Sequence, residues 1–595
     1  MSAPIEDHGI IGDLSTAALV AGDGTIDFMC WPCFDSPSLF ASLLDHDQGG
    51  SFALSPVLDS PRQLQTYLPD SNVLVTRWLS AEGSAEVCDL LASPACERGA
   101  PRLIRSVRVT RGRVRFGLRC RPCFDYGRAD MAAEACSDGV RFSGGERQVR
   151  LSGSVPLALD GTAAVASFTL EVGGQADFVL DDGTEAALAG DAVNVAIAGA
   201  HAFWQGWARR SIYRGRWREA VGRSALVLKL LTSHRHGSVA AAATFGLPEA
   251  PGGDRNWDYR AAWIRDSSFT VYAFMRLGYV AEATAFTGWV AARLRDAGPD
   301  GRLRIMYALD GGEAAPEQEL DLAGYGGARP VRIGNDAGGQ MQLDIYGELL
   351  DSTYLSNKYG DAISHEGWQH VCCVVEHVCA HWREPDAGIW EMRGPPKAFL
   401  HSRLMCWVAV DRALRLAAKR SLPAPFGRWS ETRGAINADI WANFRHPKTG
   451  IFVQYQGATS LDAAALMMPL VRFVSATDPV WLATLDAIGE QLTDDGLVYR
   501  YRSDDGLDGQ EGAFTACSFW YVECLARAGR LDQAQLLFER VLRYANPLGL
   551  YAEELGPVGE HLGNFPQALT HLALISAAFY LDRQLSGAEH TTWRP

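Results

Sequence analysis

The sequence predicts two large domains in one chain: an N-terminal antiparallel β-sandwich and a following (α/α)6 barrel, which is a ring of six helical hairpins. Three observations lead to this prediction. The chain has 595 residues, several times the length of a typical domain. Short alternating segments come first, and long segments with apolar residues at every third or fourth position follow. We therefore assign 1–200 to the β-domain, 201–235 to a linker with the first barrel helix, and 236–595 to the barrel.

Strand signals recur through the first 200 residues. The segments 72–78, 104–109, 164–170 and 177–180 are rich in β-branched residues and alternate in polarity, and Gly, Asp and Pro separate them. Many short strands at regular spacing are typical of an antiparallel sandwich.

Twelve helical segments are expected after residue 201. Twelve helices joined by alternating short and long connections suit six hairpins closed into a ring. The alternatives are an irregular helical bundle and an open solenoid, but a solenoid needs a repeat of fixed period, and none is visible. The expected helices span 216–233, 262–277, 279–296, 343–359, 364–383, 398–420, 427–445, 461–474, 477–493, 513–528, 531–544 and 565–584.

The composition excludes several classes of function. Hydrophobic residues make up 47% and charged residues 21%, as in packed globular proteins. The 55 basic and 70 acidic residues give a net charge of −15 without a basic run, which argues against a nucleic-acid partner. No apolar run reaches the roughly 18 residues of a membrane span, and the N-terminus does not resemble a secretory signal. We expect a cytoplasmic protein without membrane contact.

Thirteen cysteines are an odd number that does not indicate a disulfide framework. The pairs Cys30/Cys33 and Cys120/Cys123 have the C-x-x-C spacing of redox or zinc sites, and four thiolates could hold one zinc ion. Both pairs lie in strand-and-turn sequence without the helix that a redox motif needs, so we interpret them as buried structural thiols. Free thiols, disulfides and metal ligands all stay open, and no metal or organic cofactor is expected.

Three aromatic-rich connections between helices are the candidates for a functional site. The first, 255–266, combines Trp257, Tyr259 and Trp263 with several Arg and Asp residues. Capping of the following helix is the default interpretation of Asp266, but it does not explain the three aromatic residues. Aromatic faces beside paired donors and acceptors are what a sugar ring requires, because its C–H faces stack and its hydroxyls need hydrogen bonds.

The other two connections contribute carboxyl groups. In 388–394, Glu391 follows Trp390 between glycines, an environment that favours a partly desolvated carboxyl with a raised pKa. Such a group can act as a general acid. In 549–556, two adjacent glutamates at 553–554 stand in a turn, and a solvated surface is the default interpretation.

Together these segments resemble glycoside hydrolase family 15, which contains glucoamylases, bacterial trehalases and related α-glucosidases. The resemblance covers nearly the whole chain, and it implies an N-terminal sandwich followed by an (α/α)6 barrel. One departure is visible, because Cys33 and Cys123 stand where the family pattern has Arg. The segments that carry the resemblance are 5–13, 16–20, 23–28, 255–266, 388–394 and 563–567.

The resemblance also implies roles for individual residues. Glu391 matches the general acid of the family and Glu553 its general base, while Arg265 and Asp266 match the pair that holds the hydroxyls of the non-reducing glucose. The remaining substrate-binding positions that it implies are Tyr259, Trp263, Trp390, Arg500 and Glu511.

The implied activity is inverting, exo-acting hydrolysis of an α-glucoside, which releases β-glucose. A disaccharide or oligosaccharide is then the substrate; α,α-trehalose is favoured, and glucoamylase-type or isomaltose-type hydrolysis is the alternative. A glycoside phosphorylase is a more distant alternative, because phosphate would replace the base and Glu553 would have no counterpart. A non-catalytic sugar-binding protein would not need Glu391, and a zinc enzyme would need ligands on the barrel loops. A homodimer stays open.

Overall fold

The structure is a computed structural model that describes residues 2–92, 100–296, 300–359, 362–503, 505–507 and 509–587. Within these residues the N-terminal region contains fifteen strands, and all of their pairings are antiparallel. The strands are β1 (His8–Gly12), β2 (Ala17–Ala21), β3 (Ile26–Cys30), β4 (Ser38–Phe40), β5 (Ser51–Val57), β6 (Arg62–Tyr67), β7 (Leu74–Leu79), β8 (Gly83–Leu91), β9 (Leu103–Arg121), β10 (Met131–Cys136), β11 (Gly139–Gly144), β12 (Arg147–Gly153), β13 (Ala158–Asp160), β14 (Ala163–Glu171) and β15 (Gln175–Asp181).

The long strand β9 joins two layers of this domain. Its residues 103–112 pair with β8 and β15, and its residues 113–121 pair with β5 and β14. Gly112 lies between the two halves with φ +74°, and a Cβ there would stand 2.5 Å from the carbonyl oxygen of Glu82. Glycine therefore permits the bend at which the strand changes partners. The predicted antiparallel β-domain is confirmed.

The described residues contain thirteen α-helices. Each of the twelve predicted helices has a counterpart among α2–α13, and α1 is additional. The helices are α1 (Asp191–Ala208), α2 (Arg218–Leu230), α3 (Ser267–Leu277), α4 (Val280–Asp296), α5 (Asp344–Tyr359), α6 (His365–His381), α7 (Leu400–Arg420), α8 (Phe426–Asn443), α9 (Met467–Leu470), α10 (Pro479–Gln491), α11 (Thr515–Arg527), α12 (Leu531–Leu542) and α13 (Ala568–Leu585).

The helices form a closed double ring. Inner helices contact one another in the order α3, α5, α7, the turn that leads into α9, α11 and α13, and α13 returns to contact α3. The inner helices α7, α11 and α13 are buried along most of their length, whereas α8 and α12 bury only a few positions each. This is the predicted ring of hairpins.

Short strands in the connections tie the barrel loops together. They are β16 (Phe245–Pro248), β17 (Asn256–Asp258), β18 (Ala262–Trp263), β19 (Met306–Tyr307), β20 (Gln318–Leu320), β21 (Val331–Ile333), β22 (Thr493–Asp494), β23 (Leu497–Val498), β24 (Ala513–Phe514), β25 (Glu554–Leu555) and β26 (His561–Leu562).

The elements of the structure depart from the predicted ones at three places. Helix α1 begins at Asp191, inside the range assigned to the β-domain, because Val193, Ala200 and Trp204 already follow a helical burial pattern. The boundary at residue 200 itself stays a prediction. The helix expected over 262–277 begins only at Ser267, since residues 262–263 pair as strand β18 with β19.

The helix expected over 461–474 is reduced to a single α-helical turn, α9, preceded by a 3₁₀ turn over Ala463–Leu466. Asp462 accepts a hydrogen bond from the amide of Ala464 and so starts the 3₁₀ turn. Pro469 has no amide to donate within a longer helix, and Arg472 adopts φ +67° just beyond it. Local chemistry at both ends therefore stops the helix.

The cysteine pairs of the β-domain are free thiols, with Cys30 and Cys120 buried. Arg260, from the barrel side, donates to Sγ of Cys30 at 3.2 Å and to the hydroxyl of Tyr126 at 3.1 Å, which ties the two domains together. Across the described ranges, no group of three or more His, Cys, Asp or Glu side chains could hold a metal ion. In the same ranges, no helix combines the length and apolar character needed to cross a membrane.

Candidate active site

The predicted segments meet at one end of the inner ring. The segment 255–266 leads into α3, 388–394 lies shortly before α7, and 549–556 and 563–567 precede α13. Each of these helices belongs to the inner ring, so their N-terminal ends bring the connections together. Residues that are more than 300 positions apart in sequence thereby share one site.

Glu391 is fixed by two donors from the first segment. Nε1 of Trp263 donates to Oε1 of Glu391 at 2.8 Å, and Nη1 of Arg265 donates to the same oxygen at 3.1 Å. Arg265 also donates to the carbonyl oxygen of Ile389 at 3.0 Å, which holds the turn that carries Glu391. Glu391 has φ +57° and keeps 14% of its side chain exposed. The turn thus presents a carboxyl group with only one oxygen engaged by these donors.

Asp266 is not a helix cap. It occupies the position before α3, but its side chain makes no capping hydrogen bond. Instead, Oδ1 accepts a hydrogen bond from Nε of Arg265 at 3.2 Å. Burial raises the pKa of Asp266, and the charge of Arg265 opposes this rise. The default interpretation from sequence is therefore wrong, and Arg265 and Asp266 form the buried pair that a sugar site would need.

Glu553 and Glu554 are buried, 1% and 0% exposed, so the solvated-turn interpretation is also wrong. Burial and the charge of Glu249 raise the pKa of Glu553 well above its usual range, while Arg500 and hydrogen bonds from Tyr259 and the Asn564 amide lower it. Oε2 of Glu553 has no partner among the described residues.

Gly563 stands directly against Glu553. A Cβ at this position, where φ is +72°, would lie 2.7 Å from Oε2 of Glu553. Only glycine therefore leaves this side of the carboxyl group clear.

Arg500 is surrounded by carboxylates from three connections. Its Nη2 lies 3.1 Å from Glu249, 2.8 Å from Glu511 and 3.1 Å from Glu554. Arg255 binds Glu511 from the other side. Because the carboxylates outnumber the guanidinium groups, the cluster is strongly acidic, and burial raises the pKa of Glu249 to about 7.

The aromatic residues complete the walls. The rings of Tyr259 and Trp263 meet edge to face at 5.2 Å, and Trp390 packs 5.3 Å from Phe514. Nε1 of Trp390 donates to Oδ1 of Asp462 at 2.9 Å, which orients the indole. The ring contacts and the hydrogen bond of Trp390 hold these aromatic side chains in place.

A cavity of about 410 Å³ opens among these residues. Tyr259, Trp390, Glu391, Arg500 and Glu511 line it. The predicted residues Trp263, Arg265, Asp266 and Glu553 are not among its lining residues, but Trp263 and Arg265 donate to Glu391, and the charge of Glu553 acts on Tyr259. A larger cavity of about 840 Å³ lies elsewhere among the inner helices and contains none of the predicted residues. We place the candidate site in the smaller cavity, because both the aromatic and the carboxyl candidates converge there.

Sequence reasoning missed a buried pair beside the site. Nδ1 of His401 lies 3.8 Å from Oδ2 of Asp344, and the polar side-chain atoms of both residues have no hydrogen-bond partner among the described residues. Burial lowers the pKa of His401 to about 3 and raises that of Asp344 to about 7, and the charge of Arg265 acts on both. Asp344 begins α5, so sequence alone presents it as a helix-start residue.

Glu249 was also missed. It follows a proline as a single acidic residue after β16, and only its contact with Arg500 from a distant connection reveals a role. No local signal marks it.

Comparisons with known proteins match both parts of the chain. A model of the glycosyl hydrolases family 15 matches residues 215–579, and a model of the trehalase-like N-terminal domain matches residues 1–181. A protein named trehalase from Mycolicibacterium smegmatis is 38% identical over 613 residues, covering 98% of this chain and 91% of the relative. A second protein named trehalase, from Thermoplasma volcanium, is 35% identical over 590 residues, covering 98% of this chain and 94% of the relative.

The fold has a solved counterpart. The crystal structure of a bacterial glucoamylase complexed with acarbose matches with a TM-score of 0.72 at 12% identity, covering 98% of this chain and 95% of the other. At this identity the match supports the fold, and it confirms the order of β-domain and (α/α)6 barrel.

Proposed function

The chain belongs to glycosyl hydrolase family 15, and we propose that it is an inverting α,α-trehalase in which Glu391 is the general acid and Glu553 the general base. The observation that carries this proposal is that Arg265 of the buried Arg265–Asp266 pair binds Glu391, while the charges of Glu391 and Glu553 both act on Tyr259 in the wall of the cavity. Inverting glycosidases need two carboxyl groups with opposite tasks on the two sides of the scissile bond.

The hydrogen bonds of Glu391 suit a proton donor. Oε1 receives N–H groups from Trp263 and Arg265, so a proton on that oxygen would face two other donors. The proton of the acid form therefore belongs on Oε2. From there it passes to the glycosidic oxygen as the bond to the anomeric carbon breaks.

The surroundings of Glu553 suit a base. Its Oε2, which faces Gly563, is the atom that would take the proton of a water molecule attacking the anomeric carbon. Hydrogen bonds from the Tyr259 hydroxyl and the Asn564 amide favour the ionised carboxylate, as does Arg500. Without Tyr259, the Asn564 amide and Arg500, burial would keep Glu553 protonated.

Neighbouring carboxyl groups share the remaining protons. Burial raises the pKa of Glu249 to about 7 and raises that of Glu554 well above its usual range. We assign the role of base to Glu553, because Glu249 and Glu554 both pair with Arg500, whereas Oε2 of Glu553 has no partner among the described residues.

The substrate follows from the relatives. The Arg265–Asp266 pair would read a terminal glucosyl group, which trehalose, maltose and isomaltose share, so the pair alone does not choose between them. The relatives named trehalase match nearly the full length of the chain, including the N-terminal domain. This favours trehalose.

Glucose release from trehalose, maltose and isomaltose by the purified protein tests the choice. Trehalose should be cleaved with the highest kcat/KM. Faster cleavage of maltose or isomaltose would contradict the trehalase assignment and would indicate a glucoamylase-type or isomaltose-type hydrolase. Phosphate-dependent formation of a sugar phosphate would instead indicate a phosphorylase.

We also propose that the enzyme acts in the cytoplasm. The twelve cysteines within the described residues are free thiols, which suits a reducing compartment. Cell fractionation tests the location, and recovery with a secreted fraction would contradict it.

A homodimer is testable by light scattering of the purified protein.

A further inference from the structure

One wall of the cavity holds an arginine beside the proposed acid. A general acid must reach the glycosidic oxygen, so the sugar that leaves has to lie next to Glu391. Met392 and Arg393 follow Glu391 on the same turn and line the same cavity, together with Trp257 and Asn335. If the proposed function holds, this wall faces the leaving sugar.

Arg393 is held in a defined orientation. Its Nη2 donates to Oε2 of Glu317 at 3.2 Å, and its guanidinium carbon lies 4.6 Å from the centre of the Trp257 ring. A guanidinium group on an aromatic ring is favoured electrostatically and has a fixed plane. The side chain keeps 27% of its surface exposed, so part of its fork is accessible.

A second arginine fixes the partners of Arg393. Nε of Arg332 lies 3.2 Å from Oε1 of Glu317, and its guanidinium carbon lies 5.1 Å from the Trp257 ring centre. Arg332 also donates to the carbonyl oxygen of Asp254. Glu317 and Trp257 therefore each contact both arginines. These four residues, Trp257, Glu317, Arg332 and Arg393, form a clamp to which four separate stretches of chain contribute.

The clamp is costly to assemble for stability alone. Its ion pairs are partly buried, with 13–27% of each side chain exposed, so the cost of removing these charges from water offsets much of their attraction. A fixed guanidinium group does have a chemical use, since it presents several N–H donors in set directions. One of these donors is used on Glu317, and a sugar offers neighbouring hydroxyl oxygens as acceptors.

We propose that Arg393, held by Glu317 and Trp257, binds the leaving sugar and sets the selectivity of the enzyme among leaving groups. A site built to hydrogen-bond hydroxyl groups discriminates strongly against substrates that do not offer them in the right place. The inference rests on the proposed function, because it assumes that Glu391 protonates the bond to that sugar.

The test compares trehalose with α-glucosyl fluoride, which carries the same glucosyl group but no second sugar. Arg393→Met should lower kcat/KM for trehalose by about 10–100-fold, mainly through KM, because a hydrogen bond to a charged group is lost. Hydrolysis of the fluoride should fall much less. Glu317→Gln should act in the same direction with a smaller effect, and Arg393→Lys should lie between the wild type and Arg393→Met, since lysine keeps the charge without the fork.

Arg329→Met is the matched control, because Arg329 is an exposed arginine in the connection before β21 and does not line the cavity. It should leave the kinetics with both substrates unchanged. Equal losses on trehalose and fluoride in Arg393→Met, or no loss on trehalose, would overturn the inference.

The proposed function can fail separately. If the wild type cleaves the fluoride and another disaccharide but not trehalose, the trehalase assignment fails, and the same comparison with that disaccharide decides the role of Arg393. If the wild type cleaves none of these substrates, both proposals fail.

Discussion

Arg265 and Glu391 lie 3.1 Å apart, between Nη1 and Oε1, although 126 positions separate them in the chain. The same guanidinium group also pairs with Asp266 through Nε. The pair proposed to hold the substrate and the proposed acid therefore form one chain of contacts. In the proposed mechanism, binding of the sugar and placement of the proton donor are therefore coupled through the Arg265 side chain.

Glu391→Gln should lower kcat by at least about 10²-fold, because the amide cannot protonate the leaving oxygen. The glutamine oxygen can still accept from Trp263 and Arg265, so KM and the melting temperature should change little. Steady-state kinetics and thermal unfolding measure this. Activity on α-glucosyl fluoride, whose leaving group needs little protonation, should survive better than in a Glu553→Gln variant. Glu490→Gln, on the exposed side of α10, is the control and should keep the wild-type kinetics. Near-normal turnover of Glu391→Gln would refute the assignment of Glu391 as the general acid.

Asp266→Asn should reduce kcat/KM steeply while the melting temperature changes less. The substitution removes the charge that pairs with Arg265, but no helix cap is lost. A true cap gives the opposite pattern: Asp478 accepts from the amides of Val480 and Trp481, so Asp478→Ala should cost about 1 kcal/mol of stability with normal kinetics. Kinetic and unfolding measurements on both variants check this. Normal kinetics with lowered melting in Asp266→Asn would make Asp266 structural.

The first sugar released from trehalose should contain β-glucose formed by inversion, observed by proton NMR before mutarotation equilibrates the anomers. If Glu553 activates water, the two carboxyl groups must stand about 6.5–9.5 Å apart, whereas direct attack by Glu553 would need about 5–5.5 Å. Trehalose also releases its leaving glucose as the α-anomer, so equal initial amounts of the two anomers are expected. Initial release of α-glucose alone would mean retention and would overturn the role of Glu553.

Glu249→Gln should flatten the pH dependence of stability between about pH 4.5 and 7. Burial raises the pKa of Glu249 from 4.5 to about 7, so the folded protein keeps a proton that the unfolded chain has released. The stability linked to this group is fully present below pH 4.5 and is lost as the pH rises through 7. Denaturant unfolding across this range measures the slope.

Some slope should remain in the Glu249→Gln variant, because Glu553 and Glu554 also have raised pKa values and face the same Arg500. Arg255 and Glu511 complete the charges around Glu249. Glu431→Gln, on the exposed face of α8, should keep the wild-type slope. A wild-type slope in Glu249→Gln would show that the proton is held elsewhere.

The sequence by itself determined the two domains and most of their elements. Alternation and helical periodicity are local properties of the chain, and the predicted helices and strands follow from them. The segments around Arg265, Glu391 and Glu553 were also visible, because their residue types are unusual for connections. The shortened helix at 461–474 was missed, since its overall apolar pattern masks the local effect of Pro469 and Arg472.

Only the tertiary structure decided how these residues act on one another. Closure of the ring brings Trp263 to Glu391 and Glu249 to Arg500, contacts across 128 and 251 positions that no local pattern encodes. It also buried Asp266, whose side chain does not cap α3, and a pair of glutamates that sequence presents as a solvated turn. The physical reason is that burial and charge pairing depend on which distant chain segments pack around a side chain, whereas sequence patterns report only its neighbours along the chain.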